Sequence, residues 1–307
     1  MVGLLFPGQG SQYVGMGRDL ADRDPAAASV WTEADEVLGF ALSSLAWDGP
    51  EAELTATKNA QPAILTHSIA VWRVVRERVG AVCCAAGHSL GEFSAYVAAG
   101  SLEFADAVRT VRRRGELMFE SGLERAGTMA AILGLEDADL QRVCAEASGE
   151  DGVCVPANYN AAGQIVISGD VGAVERAMAG AKAAGARRVV ALNVSGAFHS
   201  PLMSVAQPGL EACLADVALR DPAFPVLSNV TAQPVHQAAD ARRLLVEQLT
   251  SPVRWAASMR RMLDLGSERF LELGPGSVLV GLLRRVGRGA PSVTLGTADE
   301  VAAFVEG

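Results

Sequence analysis

Apolar and polar residues follow two different spacings along the chain, which predicts strands and helices in alternation. The short apolar runs at 2–6 and 81–86 are typical of buried strands, since neither is long enough for a confident helix. Apolar residues recur with the 3.6-residue spacing of helices over 26–38, after Pro62 and over 104–119. Each strand candidate is thus followed by helical sequence.

From residue 127 the pattern becomes β-α-β-β-α-β over about 70 residues, which is typical of a ferredoxin-like unit. These elements are a strand at 128–135, a helix at 137–147, strands at 153–158 and 164–168, a helix at 171–184 and a strand at 188–194. Beyond them lie strand candidates at 226–229 and 269–273 and a helix at 278–286. We therefore predict a large domain formed by 1–126 and 196–307, with a small domain at 127–195 inserted into it.

Gly87-His88-Ser89-Leu90-Gly91 lies where a strand gives way to a helix. In a G-x-S-x-G turn the serine has a strained backbone, and side chains at the two glycines would collide with the neighbouring strand or helix. The ordinary alternative is a turn with no chemistry. The flanking strand and helix favour a nucleophilic Ser89, with the Leu90 N–H able to stabilise an oxyanion.

The loop at 7–12 is rich in glycine, yet its spacing does not fit a dinucleotide-binding motif. We expect it to direct backbone N–H groups, including that of Gln9, toward a site at the sheet edge.

A serine nucleophile needs a base, and the chain has four histidines. His88 should point away from its neighbour Ser89, His67 lies within a helix, and His236 lies in a polar turn. His199, in the loop that returns to the large domain, is the best candidate, although a structural loop histidine is the alternative. Its orienting group is either a backbone carbonyl or an amide such as that of Gln248.

Arg114 lies about 60° from the centre of the apolar stripe of its helix, whereas Arg109 and Arg113 point nearly the opposite way. An inward-facing arginine needs an anion. Either a structural carboxylate or the carboxylate of a substrate would serve.

The net charge of −9 argues against a nucleic-acid partner. The N-terminus lacks the pattern of a signal peptide, and no apolar stretch approaches the roughly 18 residues of a membrane span. Five cysteines without C-x-x-C spacing indicate neither disulfides nor a metal site. We expect a soluble, cytoplasmic protein.

Seven segments, in order along nearly the whole chain, resemble the malonyl-CoA:acyl-carrier-protein transacylases, discrete enzymes related to polyketide acyltransferase domains. They are FPGQGSQ (6–12), AGHSLGE (86–92), RRRGELM (112–118), GQIVISG (163–169), SGAFHSPLM (195–203), QLTSPVRW (248–255) and LELGPG (271–276).

The resemblance implies an α/β-hydrolase-like large domain with a mainly parallel sheet and a ferredoxin-like insert. It implies transfer of a malonyl group from malonyl-CoA to the phosphopantetheine thiol of an acyl carrier protein, by a monomer without cofactor. The implied roles are nucleophile for Ser89, base for His199, oxyanion hole for Gln9 and Leu90, malonyl carboxylate binding for Arg114, malonyl selection for Phe198 and histidine orientation by the Gln248 carbonyl.

Two alternatives stay open: a thioesterase that uses the same serine and histidine, and a scaffold without catalysis. The sequence does not distinguish fatty-acid from polyketide synthesis.

Overall fold

The computed structural model describes residues 1–307 and contains two β-sheets surrounded by helices. The strands are β1 (Val2–Phe6), β2 (Val82–Gly87), β3 (Gly127–Leu133), β4 (Cys154–Ala161), β5 (Gln164–Asp170), β6 (Arg188–Ala191), β7 (Val226–Leu227), β8 (Pro234–Val235), β9 (Arg269–Leu273) and β10 (Ser292–Leu295). The helices are α1 (Arg18–Arg23), α2 (Pro25–Leu38), α3 (Leu42–Asp48), α4 (Glu51–Thr55), α5 (Thr57–Val79), α6 (Gly91–Ala98), α7 (Phe104–Glu124), α8 (Asp137–Ala147), α9 (Val171–Ala183), α10 (Gln207–Ala215), α11 (Ala238–Glu247), α12 (Trp255–Asp264), α13 (Val278–Val286) and α14 (Ala298–Glu306), with a 3₁₀ helix at Pro201–Ala206.

The larger sheet has the strand order β10-β9-β1-β2-β7-β8, and every neighbouring pair except β7 and β8 is parallel. Phe6 pairs with Gly87, and Leu5 pairs with Glu272, so β1, β2 and β9 end at the same edge. In parallel sheets ligands bind at this carboxyl edge. The predicted α/β class with a mainly parallel sheet is confirmed.

The smaller sheet is antiparallel, with the order β4-β5-β3-β6. Helices α8 and α9 pack against it around a separate apolar cluster that includes Leu140, Ile167 and Val174. The predicted β-α-β-β-α-β order is observed, although the last strand ends at Ala191, where its pairing with β3 ends at Ala130.

Helix α5 begins at Thr57, whereas the sequence predicts a start after Pro62. Proline has no N–H, so the Lys58 carbonyl one turn earlier loses its usual helical donor. The Arg112 guanidinium donates to that carbonyl instead, at 3.2 Å. This hydrogen bond from α7 explains how the helix tolerates an internal proline.

None of the helices combines the length and the apolar character that crossing a membrane would require. All five cysteines are free thiols.

Candidate active site

The turn between β2 and α6 has the strained, crowded backbone that its sequence predicts. Ser89 has φ = 51°, in the left-handed region. A Cβ at Gly87 would lie 1.8 Å from the Gly91 carbonyl carbon, and a Cβ at Gly91 would lie 2.2 Å from the Phe6 carbonyl oxygen. Only glycine fits at either position, so β2 and α6 approach closely enough to present Ser89 above the end of the sheet.

The structure brings Ser89 and His199 together although 110 residues separate them. The Ser89 Oγ lies 2.8 Å from the His199 Nε2, and the His199 Nδ1 lies 2.9 Å from the Gln248 carbonyl oxygen. A carbonyl can only accept, so Nδ1 carries the proton and Nε2 is free to accept the serine proton. This is the tautomer that a general base requires.

His199 is buried, and burial lowers its pKa to about 3, with the nearby Arg114 charge acting in the same direction. The imidazole is therefore neutral at physiological pH. Its backbone has φ = 57°, and the loop is held by Ser200, whose hydroxyl donates to the Ala197 carbonyl at 2.6 Å.

Arg114 is 1% exposed, as its position on the helical stripe predicts. Its guanidinium donates to the Gln61 Oε1 at 2.7 Å, the Gln248 Oε1 at 2.8 Å and the Ser89 Oγ at 3.1 Å. No carboxylate lies within ion-pair distance, and the Nε has no partner. Burial lowers its pKa to about 10, which leaves it charged at neutral pH. No structural carboxylate is therefore paired with it directly, although the buried Glu92 raises its pKa and hydrogen-bonds to the same Gln248 side chain.

Gln248 contacts the site with both its backbone and its side chain. The carbonyl accepts from His199, while the side-chain Nε2 donates to the Ser89 carbonyl at 3.0 Å and to the Glu92 Oε2 at 2.7 Å. The sequence alone allows either a backbone carbonyl or the Gln248 amide as the group that orients His199. In the structure the carbonyl contacts the histidine, and the amide contacts the nucleophile turn and Arg114.

Ser89, His199 and Arg114 line one cavity of about 310 Å³, and Gln248 hydrogen-bonds to all three. Gln9 and Leu90 line its wall, and the backbone N–H of neither residue donates a hydrogen bond within the protein. The Gln9 side chain is fixed by a 3.1 Å bond to the Thr57 hydroxyl. Phe198, which is almost fully buried, also lines the cavity. All seven sequence-predicted site residues therefore lie in or directly around this cavity.

Of the remaining histidines, only His88 also lines this cavity. His88 turns away from Ser89, and its Nε2 lies 2.9 Å from the Asn160 Oδ1 of β4. His67 is buried within α5, where its Nε2 lies 2.9 Å from the Gly296 carbonyl oxygen. His236 is exposed. No group of three or more histidine, cysteine or acidic side chains has a geometry that could hold a metal ion.

Sequence reasoning missed two buried polar residues behind the nucleophile, Glu92 and Asn229. Burial raises the pKa of Glu92 to about 7, while its bonds to Gln248 and the Asn229 N–H lower it. Asn229 follows β7, the strand beside β2. A polar residue just beyond a parallel strand next to the nucleophile strand was the available signal.

Residues 4–302 match the model of the acyl transferase domain family. The chain belongs to this family. Among characterised acyl transferases, the malonyl CoA-acyl carrier protein transacylase of Bacillus subtilis is 46% identical over 300 residues, covering 98% of this chain and 95% of the relative. The enzyme of the same name from Escherichia coli K12 is 44% identical over 303 residues, covering 98% of each.

Solved acyl transferase structures agree with this assignment. An acyl carrier protein S-malonyltransferase from Vibrio cholerae superposes with a TM-score of 0.94 at 40% identity, covering 98% of this chain and 99% of that one. A malonyl-transacylase solved in complex with its type II PKS acyl-carrier protein gives 0.95 at 40% identity, with 99% of both chains covered. The family predicted from the seven segments is confirmed.

Proposed function

We propose that this acyltransferase moves a malonyl group from malonyl-CoA, through an ester on Ser89, to the phosphopantetheine thiol of an acyl carrier protein. The observation that carries the proposal is a neutral Ser89–His199 pair, 2.8 Å apart, in one cavity with a buried arginine that has no carboxylate partner. The Bacillus subtilis and Escherichia coli relatives, both malonyl CoA-acyl carrier protein transacylases, support the same reaction.

In the first half-reaction the Ser89 Oγ attacks the thioester carbonyl while the His199 Nε2 takes its proton. The charge that develops on the carbonyl oxygen is stabilised by the Gln9 and Leu90 N–H groups, which have no other acceptor in the protein. Collapse of the tetrahedral intermediate breaks the carbon–sulfur bond and expels the CoA thiolate, which receives from the imidazolium the proton that Ser89 gave up.

In the second half-reaction the pantetheine thiol loses its proton to His199 and attacks the seryl ester. The proton then returns to the Ser89 Oγ as the ester bond breaks. The Gln248 carbonyl holds the imidazole in the required tautomer through both halves.

Arg114 selects the acyl group because a malonyl carboxylate can pair directly with the guanidinium, whereas the nearby Glu92 acts on it only at a distance. The carboxylate would replace the neutral hydroxyl and amide oxygens now bound to the guanidinium, forming a charge-assisted pair in a buried site. Phe198 on the cavity wall fits a further role in malonyl selection, since it limits the room beside the acyl chain.

The proposal includes the architecture and partners implied by the resemblance. We assign 1–126 and 196–307 to an α/β-hydrolase-like domain and 127–195 to a ferredoxin-like insert. The two sheets support this division, because the larger sheet contains only β1, β2 and β7 to β10, and the smaller sheet contains only β3 to β6. We further propose a cytoplasmic monomer that needs no cofactor and whose protein partner is an acyl carrier protein. The partner is supported by the transacylase solved with its carrier protein.

The test is a partition experiment with malonyl-CoA and a phosphopantetheinylated acyl carrier protein. We expect malonyl-carrier protein to accumulate much faster than free malonate, and Ser89→Ala to abolish transfer. Faster release of free malonate would instead identify a thioesterase, an alternative that the relatives' names do not support. Transfer by the alanine variant at the wild-type rate would reject Ser89 as the nucleophile.

A further inference from the structure

The Asn229 side chain spans the nucleophile turn. Its Oδ1 accepts from the Ser89 N–H at 2.7 Å, and its Nδ2 donates to the Gly87 carbonyl at 2.7 Å. The orientation of the amide is unambiguous, because a backbone N–H can only donate and a carbonyl can only accept. One planar group therefore fixes the residue that bears the nucleophile and the residue two positions before it.

The backbone of Asn229 is fixed as firmly as its side chain. Its N–H donates to the Glu92 Oε2 at 3.1 Å, and its carbonyl accepts from the Arg254 N–H at 2.9 Å. The residue is 1% exposed. Neither end of the amide has room to rotate without breaking a buried hydrogen bond.

The two side-chain hydrogen bonds of Asn229, called the clamp below, act where the backbone conformation is least favourable. Ser89 has φ = 51°, which a non-glycine residue keeps only when its surroundings enforce it. The Ser89 Oγ must also stay 2.8 Å from the His199 Nε2. A small rotation of the turn would lengthen that hydrogen bond and move the hydroxyl relative to the Gln9 and Leu90 amides.

We propose that Asn229 is a positioning residue for the nucleophile, holding the Ser89 backbone in the left-handed conformation that the transfer reaction needs. It touches neither substrate nor the reacting atoms and acts through Ser89. The inference rests on the proposed function only in taking Ser89 as the nucleophile. The positioning role requires an asparagine at position 229. An aspartate would keep the acceptor for the Ser89 N–H, but its second oxygen would face the Gly87 carbonyl oxygen without a hydrogen between them.

The first test compares Asn229→Ala with Ser228→Ala. Ser228 is equally buried in the same loop, but its hydroxyl accepts only from the Val230 N–H, so it serves as the matched control. We expect the Asn229 variant to acylate Ser89 about 100-fold more slowly, with KM for malonyl-CoA changed by less than about threefold. The Ser228 variant should keep the wild-type rate. Rates are normalised to folded protein.

The second test uses Asn229→Asp, which preserves size and gives a readout that loss of packing would not produce. Its carboxylate repels the Gly87 carbonyl, whereas the protonated acid donates to it as the amide does. The ratio of variant to wild-type acylation rate should therefore rise as pH falls. Glu92, His88, His199 and Arg114 also face this region, and taking the ratio to wild type at each pH removes the titration that the two proteins share.

Both variants are also measured with a fluorophosphonate, which reports on Ser89 reactivity without malonyl-CoA. If wild type reacts with the fluorophosphonate but not with malonyl-CoA, the proposed function fails while the clamp is still tested. The positioning role is overturned if Asn229→Ala reacts within about threefold of wild type. It is equally overturned if the relative rate of the aspartate variant does not change with pH, which decides the question should the alanine variant not fold.

Discussion

The nucleophile turn (His88–Gly91) and the histidine loop (195–200) both hold a non-glycine residue in the left-handed region, yet they are held in different ways. In the turn, Gly91 packs against the Phe6 carbonyl so closely that a Cβ would lie 2.2 Å from it. In the loop, a Cβ at Gly196 would lie 3.2 Å from the Phe198 ring and 3.6 Å from the nearest backbone atoms, those of Gly122 and Met118. The turn packs through its own glycines, whereas the histidine loop packs against glycines of other segments: a Cβ at Gly122 would lie 2.1 Å from the Ser195 carbonyl oxygen, and one at Gly127 would lie 2.6 Å from the Ala197 Cβ.

The largest expected effect comes from removing the side chain of the histidine loop. His199→Ala leaves the Ser89 hydroxyl without a base, and general-base catalysis typically contributes about 10²- to 10⁴-fold. We expect acylation by malonyl-CoA to slow by a factor in that range while KM changes little, measured by rapid-quench mass spectrometry. The exposed His236→Ala is the control. A loss below about tenfold would contradict the base assignment.

The second test compares the backbone packing of the two regions directly. Gly91→Ala should destabilise the fold by about 3 kcal/mol, because the new methyl group meets backbone that cannot move aside. Gly196→Ala should cost less than about 1 kcal/mol, since an aromatic side chain can shift by a few tenths of an ångström. Denaturant unfolding measures both, and equal losses would remove the contrast between the turn and the loop.

A third test concerns Arg114, which contacts the nucleophile turn. Arg114→Ala should reduce malonyl transfer about 100-fold and acetyl transfer much less, because only malonyl loses a buried, charge-assisted pair. Acetyl transfer should still fall somewhat, since the guanidinium also donates to the Ser89 Oγ. Steady-state kinetics with both CoA thioesters decide the matter. An equal reduction for the two acyl groups would argue that Arg114 acts on the serine alone.

The smallest expected effect is in the pH profile. Burial lowers the pKa of His199 to about 3, so the base stays neutral as pH falls through 6.5, its ordinary value, and kcat/KM should show no acid limb there. Glu92, with its pKa raised to about 7, also titrates nearby, and Glu92→Gln separates the two groups. An acid limb centred near 6.5 in both proteins would contradict a buried, neutral His199.

Because their pKa values are shifted in opposite directions, His199 and Glu92 change the free energy of unfolding with pH in opposite directions. His199 takes up its proton more readily in the unfolded chain, so its contribution to stability is lost as pH falls from 6.5 toward 3. Glu92 is protonated more readily in the folded chain, so its burial costs more as pH rises from 4.5 to 7.

The same contrast explains which site residues the sequence reveals. Ser89 is found from local pattern, because five consecutive residues encode the strained turn. Arg114 is found from helical geometry alone. His199 emerges only by elimination among four histidines, and the role of the Gln248 carbonyl only through the family resemblance, because their contacts join segments far apart in the chain.

Asn229 and Glu92 escape sequence reasoning for the same reason. Their bonds to the nucleophile turn and to Gln248 depend on how β7 and α6 lie beside one another. The start of α5 escapes it too, because the donor that offsets Pro62 comes from Arg112 on another helix. The order of strands and helices follows from local apolar spacing, whereas the polar support of the site depends on tertiary contacts.

The most direct test of the account is to map the acyl ester. Wild-type protein is incubated with malonyl-CoA, digested with a protease under acidic conditions and analysed by tandem mass spectrometry, with and without a chase of phosphopantetheinylated carrier protein. We predict a malonyl ester on Ser89 that disappears on the chase as malonyl-carrier protein forms. A malonyl group on any other residue, or an ester on Ser89 that the carrier protein fails to discharge, would contradict the account.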